Sequence, residues 1–343
     1  MLLRIRGRPA CRGRSCPDAD RSPGSVNPFR DRPSPGRPAM ERLADMQRPI
    51  AARRTWIFAA GADEAALRRA AEARPDVLIQ DLEDFTPPQL KLQARLLCRP
   101  TADLCRAAGV IPALRINPLE HVGHDDLAAA MQAGIGVILL AKTAGPEQVA
   151  ALDRAITRHE RDLGRAVGAT EIVPNVETAA ALVRITSLAE ASSRVTAMLM
   201  ASEDMAADLG VGRTAGSEEL AYARSRFLFE CVAAGVLAID CPYTFSRRED
   251  IDRDLAFAVA RGFKAKALVD PAQVAHVNDR LTPSEAQMKA ARRLISVFEQ
   301  ARAEGRTPAE LDGHRIEVPS YKAALRLLER AAVLGVAPPA SEP

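Results

Sequence analysis

Residues 77–84 read Val-Leu-Ile-Gln-Asp-Leu-Glu-Asp, an apolar run that ends in charged residues. The run does not alternate between apolar and polar residues, which is typical of a parallel strand covered on both faces. Val137-Ile-Leu-Leu140 repeats the pattern. Amphipathic stretches separate such runs, as they do when crossover helices connect parallel strands. The sequence therefore predicts an α/β fold built on a parallel sheet.

Eight apolar runs are expected to be the strands of this sheet. Eight β/α units over roughly 220 residues match a closed (β/α)8 TIM barrel, a fold of ~250 residues. An open doubly wound sheet is the structural alternative. The predicted strands are Thr55–Phe58, Val77–Gln80, Ala113–Ile116, Val137–Leu140, Ile172–Val176, Ala197–Met200, Leu237–Ile239 and Ala267–Val269.

The chain is expected to divide into three parts. Residues 1–53 are rich in Arg and Pro and bury too little apolar area to fold, so we predict a disordered N-terminal tail. Residues 54–281 are the predicted TIM barrel, and residues 282–343 a C-terminal helical extension. The first helix of the extension is expected to begin at Thr282-Pro-Ser-Glu285, with Thr282 as the N-cap.

Composition excludes several classes of protein. Of the 343 residues, 47% are hydrophobic and 27% charged, which suits a large globular core. Residues 1–54 hold thirteen Arg and five acids, a charge of +8, which leaves 3 − 8 = −5 for the body, so no nucleic acid partner is expected. The sequence contains no run of about eighteen apolar residues, so no membrane span is predicted. The six Cys form no C-x-x-C pair, which favours reduced thiols and a cytoplasmic protein.

Charged residues follow most of the predicted strands. In parallel barrels the catalytic groups lie at the carboxyl ends of the strands, so these side chains are expected to converge on one rim. A single acid there often caps the next helix instead, a role that Glu177 or Asp204 could each take. The charged residues at strand ends are Asp81, Glu83, Asp84, Arg115, Lys142, Glu177, Glu203, Asp204 and Asp240.

So many acids at one rim would repel each other unless a cation lay among them. A hard divalent ion with oxygen ligands is the natural partner of carboxylates. The sequence therefore predicts an enzyme with a divalent metal at the mouth of the barrel.

Several segments, taken in order, resemble the HpcH/HpaI aldolase and citrate lyase family, and within it the citrate lyase beta subunits and the malyl-CoA and citramalyl-CoA lyases. The resemblance runs from about Arg54 to Leu334. The segments are Thr55-Trp-Ile-Phe-Ala-Ala-Gly-Ala-Asp63, Ile79-Gln-Asp-Leu-Glu-Asp84, Leu114-Arg-Ile-Asn-Pro118, Asn175-Val-Glu-Thr178, Ala201-Ser-Glu-Asp-Met-Ala-Ala-Asp-Leu-Gly210 and Leu281-Thr-Pro-Ser284.

The resemblance implies a set of roles. Glu177 and Asp204 would be Mg²⁺ ligands, with Glu177 also near the substrate, and Arg115 would grip the substrate carboxylate or oxyanion. Glu83 and Asp84 would not bind the metal directly but would lie next to its ligands and orient metal-bound water. The implied reaction is a reversible cleavage of a 3-hydroxyacyl-CoA thioester, such as malyl-CoA, citramalyl-CoA or a citryl thioester, to a 2-oxo acid and an acyl thioester. A homotrimer or hexamer is also implied.

The chain departs from the family pattern at several points. Gly313-His-Arg-Ile-Glu-Val-Pro319 places Glu317 where the CoA lyases carry an Asp that acts on the enolate, often in a neighbouring subunit. Asp270 stands in place of a His, and Ala265 in place of a Gly. These changes favour an atypical substrate over lost chemistry. Two other functions remain open: an aldolase acting on free 4-hydroxy-2-oxo acids, and a lyase subunit inactive outside a larger complex.

Overall fold

The structure is a computed structural model that describes residues 48–245, 247–306 and 308–336. Most of the predicted N-terminal tail, and the last seven residues of the predicted extension, lie outside these ranges. The described chain opens with a 3-10 turn at Ile50–Ala52, and the buried Arg53 then pairs with Glu171 at 2.8 Å.

Eight parallel strands close into a barrel in sequential order, with the eighth pairing back to the first. This confirms the predicted TIM barrel over the open sheet. All eight predicted strands are present, and their ends differ from the prediction by two residues at most. The strands are β1 Thr55–Ala60, β2 Val77–Asp81, β3 Ile111–Ile116, β4 Val137–Leu140, β5 Glu171–Val176, β6 Ala197–Met200, β7 Leu237–Asp240 and β8 Ala265–Leu268.

Helices follow the strands and surround the barrel. In the described ranges they are α1 Glu64–Glu72, α2 Lys91–Leu96, α3 Cys98–Ala107, α4 Gly123–Ala133, α5 Pro146–Asp162, α6 Ala179–Leu182, α7 Ile185–Glu190, α8 Ser202–Asp208, α9 Ala221–Ala234, α10 Arg248–Arg261, α11 Val274–Arg280, α12 Glu285–Ala303 and α13 Val318–Val333. No helix in this part of the chain is long and apolar enough to cross a membrane.

Alternate residues of each strand face opposite sides of the barrel wall. Residues such as Ile79 and Val173 belong to the cluster that fills the barrel, whereas Ile138 and Met198 belong to the cluster under the helices. Both faces are therefore buried, which accounts for the continuous apolar runs. The same alternation decides which side chains at the strand ends face the barrel mouth.

The C-terminal extension consists of α12, a small hairpin and α13. The hairpin pairs β9 Ala309–Leu311 with β10 His314–Ile316. The prediction that Thr282 caps α12 is wrong, because its hydroxyl donates to Asn278 O at 2.7 Å. Ser284 caps the helix instead, in a capping box with Gln287.

Candidate active site at the barrel mouth

Charged side chains meet at the carboxyl ends of strands β2 to β6. Asp81 and Arg115 share the inward-facing parity of Ile79 and Ala113, and Glu177 that of Val173. We call the connected group of five acids and two cations the rim cluster; its members are Asp81, Glu83, Asp84, Arg115, Lys142, Glu177 and Asp204.

The side chain of Arg115 is held in place by several contacts within the rim cluster. Its Nε and Nη2 donate to the two carboxylate oxygens of Asp81 at 2.7 and 2.5 Å, and its Nη1 lies 3.3 Å from Glu83. The guanidinium also lies 5.0 Å from the ring centre of Phe58 and 5.8 Å from that of Phe85. Burial lowers the pKa of Arg115, but the hydrogen bonds and charges of Asp81 outweigh burial and raise that pKa. The group is therefore a permanent, pre-oriented cation.

Glu177 is 3% exposed and follows strand β5 directly. Its Oε1 accepts a hydrogen bond from the backbone N–H of Lys142 at 3.1 Å. Burial, and next the charge of Asp204, raise the pKa of Glu177 to about 7. Helix α6 is capped by Thr178, which accepts from Ala181 N at 3.1 Å, so Glu177 is not needed as a cap.

Asp204 lies in the first turn of α8 and is half-buried. Its side chain forms no hydrogen bond or ion pair with another residue that the structure describes. The charges of Asp204 and of Arg115 both act on the pKa of Glu177, so both residues lie within electrostatic range of that carboxylate. The structure thus brings together the three residues on which the sequence prediction depends, although their chemical roles stay predictions.

Lys142 connects the acids of strand β2 to the rest of the rim cluster. Its Nζ lies 2.5 Å from Glu83 Oε1 and 3.4 Å from Asp84 Oδ1. Burial raises the pKa of Glu83, and the hydrogen bond from Lys142 opposes part of that rise. For Asp84, burial is outweighed by the hydrogen bond with Glu83 and by the charge of Lys142, and the pKa falls. The two neighbouring acids therefore have different proton affinities.

The donor set fits a divalent metal such as Mg²⁺. Glu177 and Asp204 offer hard carboxylate oxygens that no cation of the described chain pairs with directly. Oε2 of Glu83 is buried and accepts no hydrogen bond from a described residue, although Arg115 lies 3.3 Å away. Among the described residues, no three His, Cys, Asp or Glu side chains group into a complete metal site. Two protein carboxylates would leave the remaining positions to water and substrate, as Mg²⁺ allows.

Asp240 does not reach the rim, contrary to the prediction. Its neighbour Ile239 faces the barrel interior, so Asp240 points outward, beneath helices α9 and α10. There it forms a buried ion-pair network that we call the β7–β8 cluster: Arg224, Asp240, Asp254 and Lys266.

Glu317 forms no hydrogen bond or ion pair with the rim cluster of the described chain. It immediately precedes α13, its side chain is 63% exposed, and it pairs with Arg315 at 3.3 Å. Its predicted action on the enolate stays a prediction.

Sequence reasoning missed part of the site. The run at residues 77–84 contained Asp81, but nothing in it indicated that this acid would hold Arg115 at two points. Lys142 stood at a strand end without an assigned role. Phe58 could have been found, because it has the same inward parity as Trp56 in β1.

The fold and site define a class: (β/α)8 barrels with an acidic rim and one buried arginine at the carboxyl ends of the strands. Within it the chain belongs to the HpcH/HpaI aldolase/citrate lyase family, whose family model matches residues 54–271. The predicted family is confirmed.

Named relatives agree with this assignment. The citrate lyase subunit beta of Haemophilus influenzae is 29% identical over 281 residues, which cover 81% of this chain and 97% of that protein. The mitochondrial citramalyl-CoA lyase of Rattus norvegicus is 26% identical, covering 81% and 86%. A crystal structure of protein CitE from Mycobacterium tuberculosis, in complex with magnesium, acetoacetate and coenzyme A, is 25% identical with a TM-score of 0.65, covering 82% and 99%.

Proposed function

We propose that this chain is a Mg²⁺-dependent carbon–carbon lyase that cleaves or forms a 3-hydroxyacyl-CoA thioester, with a 2-oxo acid as one product. The observation that carries the proposal is the juxtaposition of Glu177 and Asp204, two acids without a direct cationic partner, beside the buried Arg115. The family supports it, because relatives are named citrate lyase beta subunit and citramalyl-CoA lyase. The magnesium and coenzyme A in the CitE structure support the cofactor and the thioester.

Glu177 and Asp204 would hold the Mg²⁺, each through a carboxylate oxygen. When bound, the ion would supply positive charge to an oxygen that becomes negative during the reaction. Glu177 would also border the substrate, and the N–H of Lys142 would hold its Oε1 in place.

Arg115 would bind the substrate's carboxylate or developing oxyanion. Asp81 accepts from Nε and Nη2, which orients the guanidinium, so the substrate would bind at Nη1 in competition with Glu83, which lies 3.3 Å from that nitrogen. The rings of Phe58 and Phe85 pack against the guanidinium and help to keep it in place. Pre-orientation of this kind stabilises developing charge without reorganisation.

In the cleavage direction a base removes the proton of the substrate hydroxyl. The bond between the hydroxyl-bearing carbon and the carbon next to the thioester then breaks, so the hydroxyl carbon becomes the ketone of a 2-oxo acid. The electron pair leaves on the thioester enolate, and Glu317 of a neighbouring copy acts on that enolate as it takes up a proton. Glu83 and Asp84 would orient water beside the reacting groups.

This proposal assigns residues 54–281 to the catalytic barrel and residues 282–343 to an extension that reaches a neighbouring copy. A homotrimer or hexamer would bring Glu317 to a second rim cluster. The exposed position of Glu317, apart from its own rim, supports this arrangement. A cytoplasmic location is part of the proposal, supported by four buried, unpaired Cys in the described chain. Light scattering on the purified protein measures the oligomeric state.

A panel of thioesters tests the function. Malyl-CoA, citramalyl-CoA and a citryl thioester are each incubated with and without Mg²⁺, and release of 2-oxo acid is followed. We expect Mg²⁺-dependent release that Glu177→Gln and Asp204→Asn abolish. Glu203→Gln is the matched control, because Glu203 lies beside Asp204 on α8 but is exposed and bonds to Thr244. Full activity in the Glu177 and Asp204 variants overturns the proposal.

The same panel separates the alternatives. Turnover of free 4-hydroxy-2-oxo acids, with none of the thioesters, identifies an aldolase. The name of the Haemophilus influenzae relative, a subunit, favours a second candidate: a lyase subunit that works only in a larger complex. That candidate predicts no turnover by the isolated chain and stable co-purification with other chains.

A further inference from the structure

Lys142 has an unusual backbone for a residue with a long side chain. Its φ is +50°, in the left-handed region that favours glycine. Non-glycine residues remain in such conformations only where the surroundings hold them there, and these positions concentrate at functional sites. Lys142 comes two residues after the end of β4, on the rim of the barrel.

This one residue contacts three acids of the rim cluster. Its backbone N–H donates to Glu177 Oε1 at 3.1 Å, while its Nζ lies 2.5 Å from Glu83 and 3.4 Å from Asp84. The backbone contact fixes one oxygen of Glu177 and leaves the other free. The side-chain contact holds Glu83 and Asp84 at the ammonium group. Half of the Lys142 side chain is exposed, so burial of its stem does not explain the conformation.

From this geometry we propose that Lys142 is a positioning residue, which keeps Glu83 and Asp84 away from the metal so that only Glu177 and Asp204 bind it. The rim cluster has five acids and two cations, and Arg115 is already committed to Asp81. Without the ammonium group, Asp84 has no cation of the described chain within ion-pair distance and Glu83 retains only Arg115 at 3.3 Å, so both carboxylates are less restrained from entering the metal site. The metal then binds more tightly but in an unproductive arrangement.

The test replaces the side chain and keeps the backbone contact. Lys142→Met retains the N–H to Glu177 but removes the ammonium. Loss of this positive charge removes repulsion of the divalent cation. At an effective dielectric close to that of water, Mg²⁺ binding should tighten about threefold to tenfold. We expect kcat to fall about 10- to 100-fold, the usual effect of removing a group that orients metal ligands. Lys142→Arg retains the charge, so Mg²⁺ affinity should stay near that of the wild type.

Arg74→Gly provides the matched control for the backbone. Arg74 is an exposed residue with φ +53° in the connection from α1 to β2, at the opposite end of the barrel. Relief of the same backbone strain there should leave both kcat and Mg²⁺ affinity unchanged. Lys142→Gly should lower kcat as Lys142→Met does.

Mg²⁺ affinity is measured by titration calorimetry and kcat with the best thioester of the panel. Tighter Mg²⁺ binding together with lower kcat supports the inference, whereas unchanged or weaker Mg²⁺ binding by Lys142→Met overturns it. The catalytic readout rests on the proposed lyase function, but the affinity readout does not. If the wild type turns over no thioester and Lys142→Met still binds Mg²⁺ more tightly, the isolated chain is not the proposed lyase, and the effect of Lys142 on Mg²⁺ binding stands.

Discussion

Two charged clusters belong to the same barrel, and they use the same residue types differently. In the β7–β8 cluster two cations face two acids, and every group is buried beside an opposite charge at 2.6–2.8 Å. In the rim cluster five acids share two cations, and Asp204 has no partner among the described residues.

The difference indicates that the β7–β8 cluster has a structural role and the rim cluster a functional one. A balanced, fully paired buried network stabilises the fold only as long as it stays intact, because loss of one member leaves an unpaired buried charge. An unbalanced cluster at a barrel mouth gains its missing charge from a ligand. A paired acid of the β7–β8 cluster and the unpaired Asp204 of the rim cluster should therefore respond differently to the same substitution.

The largest expected effect is on stability. Asp240→Asn leaves Lys266 and Arg224 without a full counter-charge and should lower the free energy of unfolding by about 3–5 kcal/mol. Asp204→Asn removes one of several repelling acids and should leave that free energy unchanged or slightly higher. Urea denaturation of both variants measures the contrast. Equal losses in the two variants would contradict the distinction between the clusters.

The pH dependence of stability should come next. Burial raises the pKa of Asp240, but Arg224 and Lys266 outweigh it and lower the pKa to about 2. Because the folded-state pKa lies below the unfolded value of ~3.9, the stabilisation is complete above about pH 4 and is lost as pH falls towards 2.

We therefore expect the stability difference between wild type and Asp240→Asn to shrink by about 2–3 kcal/mol between about pH 5 and pH 2. Unfolding curves at several pH values measure it. A difference that stays constant with pH means that the Asp240 carboxylate is not held by its partners.

At the rim, Arg115→Lys tests whether the geometry of the guanidinium, and not only its charge, is needed for activity. Lys keeps the charge but cannot donate to both oxygens of Asp81 and still present a third nitrogen. We expect kcat/KM to fall about tenfold to thirtyfold, or ~1.4–2 kcal/mol in transition-state stabilisation. Steady-state kinetics on the best thioester measure the loss, and wild-type kcat/KM would show that charge alone is sufficient.

The smallest effect concerns Asn175, which lies in β5 two residues before Glu177. Its side-chain N and O atoms are buried without a partner in the described chain. Asn175→Leu should raise the free energy of unfolding by about 1 kcal/mol. Asn117→Leu is the opposite control, since Asn117 bonds to Leu82 O at 2.8 Å and to Asp126 at 2.6 Å, and its loss should be destabilising. Destabilisation by Asn175→Leu would mean that this amide has a partner.

The barrel could be predicted from the sequence because each strand is covered on both faces. That burial produces continuous apolar runs, such as Val137–Leu140, that are visible without any structure. Helix ends were harder, because several residues compete to cap them. Thr282 has the right residue type for a cap, but it is already engaged with Asn278, and only the packing of α11 shows this.

The site could be predicted in part for a similar reason. The strand ends located Arg115, Glu177 and Asp204, but parity within a short strand decides the side on which an acid emerges. Asp81 and Asp240 are each the last residue of a strand, β2 and β7. The side chain of Asp81 faces the barrel mouth, whereas that of Asp240 faces outward and joins the β7–β8 cluster. The contacts of Lys142 depend on a single φ angle, which no sequence pattern indicates.

Titration calorimetry of Mg²⁺ with the wild type and the Glu177→Gln/Asp204→Asn double variant tests the central claim most directly. Neither substitution changes the shape of the side chain, and Glu203→Gln controls for a general change in surface charge. We predict one Mg²⁺ per chain for the wild type and for Glu203→Gln, and no measurable binding by the double variant. Wild-type affinity in the double variant would show that these two carboxylates do not share the ion.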